Sequence, residues 1–189
     1  QNLFDQNHLP VEVFNNAIPR GLSLIGPKSD RAELSCYIKK AITLAKTMGV
    51  QIITMSGPNQ RTVPDGFTWE EGFPQYIDFL KEYSDAAAAA GLSLAIEPIN
   101  RGETNMLNHF SDGVRMARTV DHPNVRVLCD YYHLRFEGDS PSVLLDGGRE
   151  LLVHTHTSQL EGRRYPTDLS LEPTLPEYAG VLRQIGYAG

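Results

Sequence analysis

Three successive apolar segments of this sequence each end on residues that can bind a metal ion. These residues are Glu97, Asp130, His154 and His156. If the segments are neighbouring parallel strands, their carboxyl ends lie on one face of the sheet and the side chains can converge there. Two carboxylates and an imidazole, without thiolates, are typical of a site for a divalent cation. Mn²⁺, Co²⁺, Mg²⁺ and Zn²⁺ are the candidates.

Each of these residues taken alone has an ordinary structural explanation. An aspartate at a strand end often caps a turn, and a lone histidine is usually a hydrogen-bonded polar residue. Three strand ends in register are harder to explain by chance. His133 follows Asp130 by three residues. It has two open interpretations, which are a metal or substrate contact and a histidine of an ordinary loop.

Glu97 begins a polar loop, residues 97–105 (EPINRGETN), in which a second acid, Glu103, follows. Pro98 cannot donate to a sheet, so regular strand pairing should end at this point. A solvated connection is the alternative interpretation of the loop. The ligand-type residues at the two further strand ends favour a functional site instead.

The elements that must position these residues alternate between short apolar runs and helical patterns. The predicted strands are residues 11–14, 50–55, 92–96, 125–129 and 151–153. The predicted helices lie between Asp30 and Gly49, from Thr68 to about residue 90, and over 111–120, 141–150 and 176–185. This alternation predicts an α/β domain with a parallel sheet covered by helices. A doubly wound sheet and a (β/α)₈ barrel both fit the pattern.

The composition excludes several classes of function. The 189 residues carry a formal net charge of −6 and contain no basic run, which disfavours a nucleic-acid partner. No apolar stretch reaches the roughly 18 residues that a membrane span needs. No secretory signal is visible, so we expect a cytoplasmic protein. The two cysteines, Cys36 and Cys129, are predicted to be reduced and buried.

The polar loop and the two following strand ends resemble a known family. Residues 97–108 (EPINRGETNMLN) resemble the E-P-x-N-R-x-E-x-N-x-L-N stretch of the D-tagatose 3-epimerase/D-psicose 3-epimerase family. This family belongs to the xylose isomerase-like sugar isomerases and epimerases. Residues 130–133 (DYYH) are similar to its D-x-x-H motif, and residues 154–156 (HTH) to its H-x-H motif. The first motif is specific, and the resemblance covers residues 11–189.

The resemblance implies a (β/α)₈ TIM barrel that holds a divalent metal ion. The implied metal ligands are Glu97, Asp130 and His156. Glu97 is also the implied catalytic base, and Glu103 and His133 are implied contacts of the sugar hydroxyls. The family places an arginine six residues after the second histidine. Position 162 is glycine here, so Arg163 is the candidate for that role.

The resemblance also implies that residues 1–189 form a single, partial barrel domain. Position 1 is glutamine, and the family's first two strands and a further metal-binding glutamate have no counterpart in the sequence. The five predicted strands therefore correspond to about barrel strands three to seven. Because unpaired sheet edges promote association, we expect this chain expressed alone to be aggregation-prone and inactive.

The implied reaction is proton transfer at a carbon next to a sugar carbonyl, through an enediolate intermediate. We expect a metal-dependent ketose epimerase or isomerase that acts on a small-molecule sugar. An inosose dehydratase, a hydroxypyruvate isomerase and a non-catalytic sugar-binding barrel are the alternatives. Endonuclease IV shares the fold, but the acidic charge and the missing D-x-H after His156 argue against it. No nucleic-acid or membrane partner is expected, and a homo-oligomer is compatible with the sequence.

Overall fold

Parallel strands form the sheet that carries the predicted site residues. The computed structural model describes residues 2–7, 9–15 and 18–189. The strands within them are β1 (Val13–Phe14), β2 (Ile52–Met55), β3 (Ser93–Ile96), β4 (Val125–Asp130) and β5 (Leu152–His156). Each strand pairs in parallel with the next one in sequence, in the order β1-β2-β3-β4-β5. The predicted order and direction of the strands are confirmed.

The strand order decides between the two architectures that fit the sequence. A doubly wound sheet reverses its order at a switch point, whereas this sheet runs in one direction from β1 to β5. Because crossovers between parallel strands are right-handed, each connecting helix then lies on the same face of the sheet. The arrangement is therefore that of a TIM barrel, over five strands in the described residues. Their assignment to barrel strands three to seven stays a prediction.

Helices connect the strands and cover one face of the sheet. The α-helices of the described residues are α1 (Asn2–Gln6), α2 (Arg31–Met48), α3 (Pro58–Arg61), α4 (Trp69–Ala89), α5 (Phe110–Val120), α6 (Tyr131–Glu137), α7 (Gly148–Leu151) and α8 (Leu175–Ile185). Two short 3₁₀ helices cover Pro141–Leu145 and Glu161–Arg163. Within the same residues, no helix is both long enough and apolar enough to cross a bilayer.

The two long helices begin where the sequence predicts. The Asp30 carboxylate accepts hydrogen bonds from the first free backbone N–H groups of α2, and Gly49 ends that helix in the left-handed conformation with φ 73°. Thr68 and Glu71 form a reciprocal capping box at the start of α4. These caps satisfy backbone groups that a helix end otherwise leaves without a partner.

Three short α-helices, α1, α3 and α6, are absent from the sequence-based prediction. The most important is α6, which starts directly after Asp130 without an intervening loop. The Asp130 carboxylate accepts a hydrogen bond from the backbone N–H of Tyr132 at 2.9 Å and so caps the helix. His133 therefore lies on a helix and not in a loop, which corrects one of its two interpretations. Seven residues are too few to show a helical period in the sequence.

The prediction for the cysteines is half wrong. Both are free thiols, and Cys129 is buried in β4, but Cys36 is exposed. On α2 the buried positions include Leu34 and Ile38, which are one turn apart. Cys36 lies midway between them in sequence and therefore points to the opposite side of the helix.

Helix α5 packs closely against the segment that carries Glu97. Gly113 lies on the buried side of α5, and a Cβ atom added there would lie 2.8 Å from Cγ of Pro98 and 3.1 Å from a methyl carbon of Val127. Proline has a rigid ring, and Val127 lies in the middle of a buried strand. Only a residue without a side chain allows the helix to approach the sheet this closely.

We expect Gly113→Ala to lower the free energy of unfolding by about 1–3 kcal/mol, the usual cost of overpacking a core. Gly180→Ala in α8 is the matched control, because a Cβ atom there meets no atom within 4 Å. The control should raise the free energy of unfolding by about 0.5–1 kcal/mol through helix propensity alone. Urea unfolding of both variants measures the difference. Equal stabilities of the two variants would contradict the proposed close packing.

Candidate metal centre and active site

Three predicted ligand side chains meet at the carboxyl edge of the sheet. Glu97 directly follows β3, Asp130 is the last residue of β4, and His156 is the last residue of β5. Asp130 and His156 lie opposite each other in the register of β4 and β5. One potential ligand atom from each of the three residues lies within 4.8 Å of the others. The sheet thus brings together residues that are 33 and 26 positions apart (130 − 97 and 156 − 130).

The geometry and chemistry of this group fit a divalent metal ion. Oxygen and nitrogen ligands lie roughly 2.0–2.6 Å from such an ion, so ligand atoms that share one ion lie within about 5 Å of one another. Glu97 and Asp130 are 3% and 5% exposed. Two buried carboxylates at this distance repel each other, and a cation between them offsets both the repulsion and the loss of hydration.

The environment of Glu97 keeps its carboxylate charged. Burial by itself raises its pKa, but hydrogen bonds from His156 and Ser56 and the charge of His156 outweigh burial and hold the pKa below its ordinary value. Nδ1 of His156 lies 3.1 Å from Oε1 of Glu97. That hydrogen bond raises the pKa of His156 against the effect of its partial burial. Glu97 is therefore ionised near neutral pH, as both a metal ligand and a base require.

His154 occupies a different environment from His156, although the two lie on the same face of β5. Their rings meet edge to face with centroids 5.1 Å apart. Burial lowers the pKa of His154, and the neighbouring charge of His156 lowers it further. Of the two histidines, His156 is the one whose ring nitrogen lies within 4.8 Å of carboxylate oxygens of both Glu97 and Asp130.

Ser56 belongs to the same edge and is absent from the sequence-based prediction. It follows β2 directly, as Glu97 follows β3. Its hydroxyl, which has one proton to donate, lies within hydrogen-bond distance of the Glu97 carboxylate, of Oδ1 of Asn15 at 3.2 Å and of the Thr54 hydroxyl at 3.0 Å. The strand-end argument that identified Glu97 applies equally to Ser56, so a signal for it was present in the sequence.

The predicted sugar-binding residues form a second group beside the first. His133 is 3% exposed, and its Nδ1 accepts a hydrogen bond from the backbone N–H of Asn100 at 3.3 Å. Burial lowers the pKa of His133, with the charge of Arg163 acting in the same direction and the nearby carboxylates against it. The Asn100 amide also donates to Oε1 of Glu103 at 3.1 Å. The polar loop of residues 97–105 and α6 therefore share one network of hydrogen bonds.

Arg163 connects the two groups. Its guanidinium donates to Oε1 of Glu103 at 3.2 Å and to Oδ2 of Asp130 at 3.3 Å, and it lies over the ring of Tyr132 at 4.4 Å from the centroid. Tyr132 supplies a flat surface for the guanidinium and was not identified from the sequence. Gly162 and Arg163 both have positive φ, 69° and 48°, which bends the chain toward the site. The structure therefore brings Arg163 next to Glu103 and His133.

A buried acid anchors the loop that delivers Arg163. Glu172 is 1% exposed, and its Oε1 accepts a hydrogen bond from the backbone N–H of Leu160 at 2.7 Å. Its other oxygen lies 3.5 Å from Nε of Arg135, a residue of α6. Nη1 of Arg135 donates in turn to the hydroxyl of Thr174 at 3.1 Å. The two ends of the loop are thus tied to the helix that carries His133.

Comparison with known proteins places the chain in a family. The family described as xylose isomerase-like TIM barrel matches the chain over residues 1–189. The chain belongs to the xylose isomerase-like TIM barrel family.

A curated relative in this family is D-psicose 3-epimerase of Ruminiclostridium cellulolyticum. It is 29% identical over 131 residues, which are 68% of this chain and 42% of the relative. The match thus covers less than half the length of the relative. Several further curated relatives are also epimerases or isomerases by name.

Two solved structures of the family share the fold of this chain. D-psicose 3-epimerase in the presence of D-fructose superposes with a TM-score of 0.82 at 22% identity, covering 97% of this chain and 64% of that protein. The IOLI protein with a bound zinc atom superposes with a TM-score of 0.73 at 19% identity, covering 100% of this chain and 68% of that protein. At these identities the likeness establishes the TIM-barrel fold alone.

The anchoring of the Arg163 loop can be tested with Glu172→Gln. The amide still accepts from Leu160, but it cannot pair with Arg135, so we expect the free energy of unfolding to fall by about 1–3 kcal/mol. Limited proteolysis should also cut residues 157–174 faster than in the unmodified protein. Glu161→Gln, an exposed acid of the same loop, is the control and should change neither quantity. Unchanged stability and cleavage in both variants would contradict the anchoring role.

Proposed function

We propose that the protein is a metal-dependent ketose epimerase or isomerase. The observation that carries this proposal is the convergence of Glu97, Asp130 and His156 at the strand ends. Beside them lie Glu103, His133 and Arg163, which offer charged and neutral hydrogen-bonding groups suited to a polyhydroxylated substrate. The family relatives that are epimerases and isomerases support the same reaction class.

Glu97, Asp130 and His156 are the residues that would hold the metal ion. A bound divalent ion supplies Lewis-acid chemistry, because it withdraws electrons from the carbonyl oxygen of a sugar. The zinc atom bound by the IOLI protein, which shares the fold, supports the presence of a cation in such a barrel, and the donor set of Glu97, Asp130 and His156 fits the metals considered from the sequence.

Glu97 is the proposed base. Its ionised carboxylate takes the proton from the carbon next to the sugar carbonyl, and the electron pair of the C–H bond moves toward the carbonyl to give an enediolate. Delivery of a proton to the opposite face of the same carbon, from a donor other than Glu97, inverts its configuration, and Glu97 keeps the proton that it removed until it passes it to solvent. Delivery to the neighbouring carbon instead isomerises the sugar. Epimerisation and isomerisation therefore share the first step, and the products distinguish them.

His133, Glu103 and Arg163 are the proposed sugar-binding residues. Glu103 accepts hydrogen bonds, Arg163 donates them, and His133 presents Nε2 toward the same space at 3.2 Å from the guanidinium. Burial lowers the pKa of His133 and keeps its ring neutral, so the ring can form a hydrogen bond with a sugar hydroxyl without adding charge to the site. Holding the hydroxyls fixes the reacting carbon within reach of Glu97, which lowers the entropic part of the barrier.

Substitution of the base tests the mechanism. Glu97→Gln keeps the shape of the side chain but removes its charge and proton affinity. We expect kcat on D-psicose or a related ketose to fall by about 100-fold or more, in the usual range for a lost general base. Exchange of the substrate C–H for solvent deuterium, followed by NMR, should fall in parallel. Glu70→Gln, an exposed acid at the start of α4, is the control and should retain full activity. Normal exchange in the Glu97 variant would refute the assignment.

Metal binding is tested separately from turnover. After removal of metal with a chelator, titration with Mn²⁺ should show about one ion bound per chain, and His156→Ala should weaken that binding by at least about 10-fold, the least that we expect for a lost ligand. His122→Ala is the control, because His122 lies in the turn before β4, near Asp85. Equal Mn²⁺ affinity in the two histidine variants would show that His156 is not a ligand.

A further inference from the structure

Arg61 is a fully buried cation beside the proposed active site. It is the last residue of α3 and has no exposed surface. Its Nη1 donates to the backbone carbonyl of Met55 at 2.9 Å, and its Nη2 donates to the backbone carbonyl of Glu97 at 2.6 Å. Among the described residues no carboxylate lies within ion-pair distance of it. The guanidinium therefore bridges the carboxyl ends of two neighbouring strands.

The bridge stands where the hydrogen-bond ladder between β2 and β3 stops. At the start of this strand pair the N–H of Ser93 donates to the carbonyl of Gln51. At its end the N–H of Glu97 donates to the carbonyl of Met55, at the long distance of 3.5 Å. In this parallel pattern the next bond would join the N–H of Gly57 to the carbonyl of Glu97. Gly57 instead leaves the extended conformation, with φ 20° and ψ 61°, and begins α3. Nη2 of Arg61 reaches the Glu97 carbonyl in its place.

A purely structural role explains this arrangement poorly. Burying a charge without an opposite charge is costly, and an apolar side chain of similar volume in such a position often leaves stability unchanged or improves it. Nε of Arg61 has no hydrogen-bond partner, and neither has the buried hydroxyl of Tyr76. Burial raises the pKa of that hydroxyl. The nearby charge of Arg61 acts against this rise but does not cancel it. The hydrogen bonds of the Arg61 guanidinium thus go to the carbonyls at the two strand ends, whereas its Nε atom has none.

We propose that Arg61 is a positioning residue for Glu97. Its guanidinium donates to the carbonyls of both strand ends, replaces the hydrogen bond that Gly57 does not make to Glu97, and fixes the backbone from which the Glu97 carboxylate projects. Its consequence for catalysis rests on the proposed function of Glu97, whereas its consequence for the backbone does not. A planar fork with two parallel donors suits two adjacent carbonyls. A lysine ammonium presents no such fork.

The backbone part of the proposal is tested by amide hydrogen exchange, measured by NMR in the intact protein. In Arg61→Met the Glu97 amide should exchange at least 10-fold faster relative to the Ser93 amide, which lies at the other end of the same strand pair. Arg149→Met is the matched control, because Arg149 also donates to a backbone carbonyl, that of Gln184 at 2.8 Å, but lies exposed and away from the site. The control should leave the ratio unchanged. An unchanged ratio in Arg61→Met would overturn the proposal.

The catalytic part is tested by steady-state kinetics on the same variants, after thermal melts have shown that they fold. Arg61→Met and Arg61→Lys should lower kcat by at least 10-fold with KM changed less than 3-fold, because the sugar-binding residues lie on other elements. Arg149→Met should behave as the unmodified protein. Equal falls in kcat and in melting temperature for Arg61→Met and Arg149→Met would indicate general destabilisation and overturn the positioning role. If the unmodified protein turns over no ketose, the proposed function fails, and the exchange ratio still decides the role of Arg61.

Discussion

The end of the hydrogen-bond ladder between β2 and β3 is the constraint on which the site depends. The N–H of Glu97 makes the last bond of this ladder, to the carbonyl of Met55, because Gly57 leaves the extended conformation and Ile99 donates to Leu107 instead. Beyond this point the backbone must turn away from the sheet. The turn places the Glu97 carboxylate over the edge at which β4 and β5 also end. The end of the β2–β3 ladder thus coincides with the point at which the chemistry can begin.

Charge compensation is the second requirement of the site. Glu97 and Asp130 are buried carboxylates only a few ångströms apart, and burial by itself raises the pKa of Glu97. His156 lies against Glu97 at 3.1 Å, and Arg163 donates to Asp130 at 3.3 Å. Asp130 gains a further hydrogen bond from the first turn of α6. The surrounding groups thus favour the charged carboxylates that a metal ligand and a base need.

Helix α6 is the common support of the loops around the site. It carries His133, and its last residue, Glu137, accepts hydrogen bonds from the backbone N–H and from Nε of Arg101 at 2.6 and 2.7 Å. Although burial raises the pKa of Glu137, these bonds to Arg101 lower it further than burial raises it. Arg135 of the same helix faces the buried Glu172 of the Arg163 loop. A helix of seven residues therefore holds both loops against the strand ends.

The sequence by itself was enough to identify the family, the parallel strand order and the group of Glu97, Asp130 and His156. The physical reason is that parallel strands deliver all their carboxyl ends to one edge, so a local signal at a strand end has a tertiary meaning. Only the tertiary structure revealed α6 and the role of Arg61. Helix α6 depends on its cap at Asp130 and on packing, and Arg61 acts through carbonyls 6 and 36 positions away. Alternation of strands and helices alone left a barrel and a doubly wound sheet open, because it is common to both folds; the family resemblance implied the barrel, and the observed strand order agrees with it.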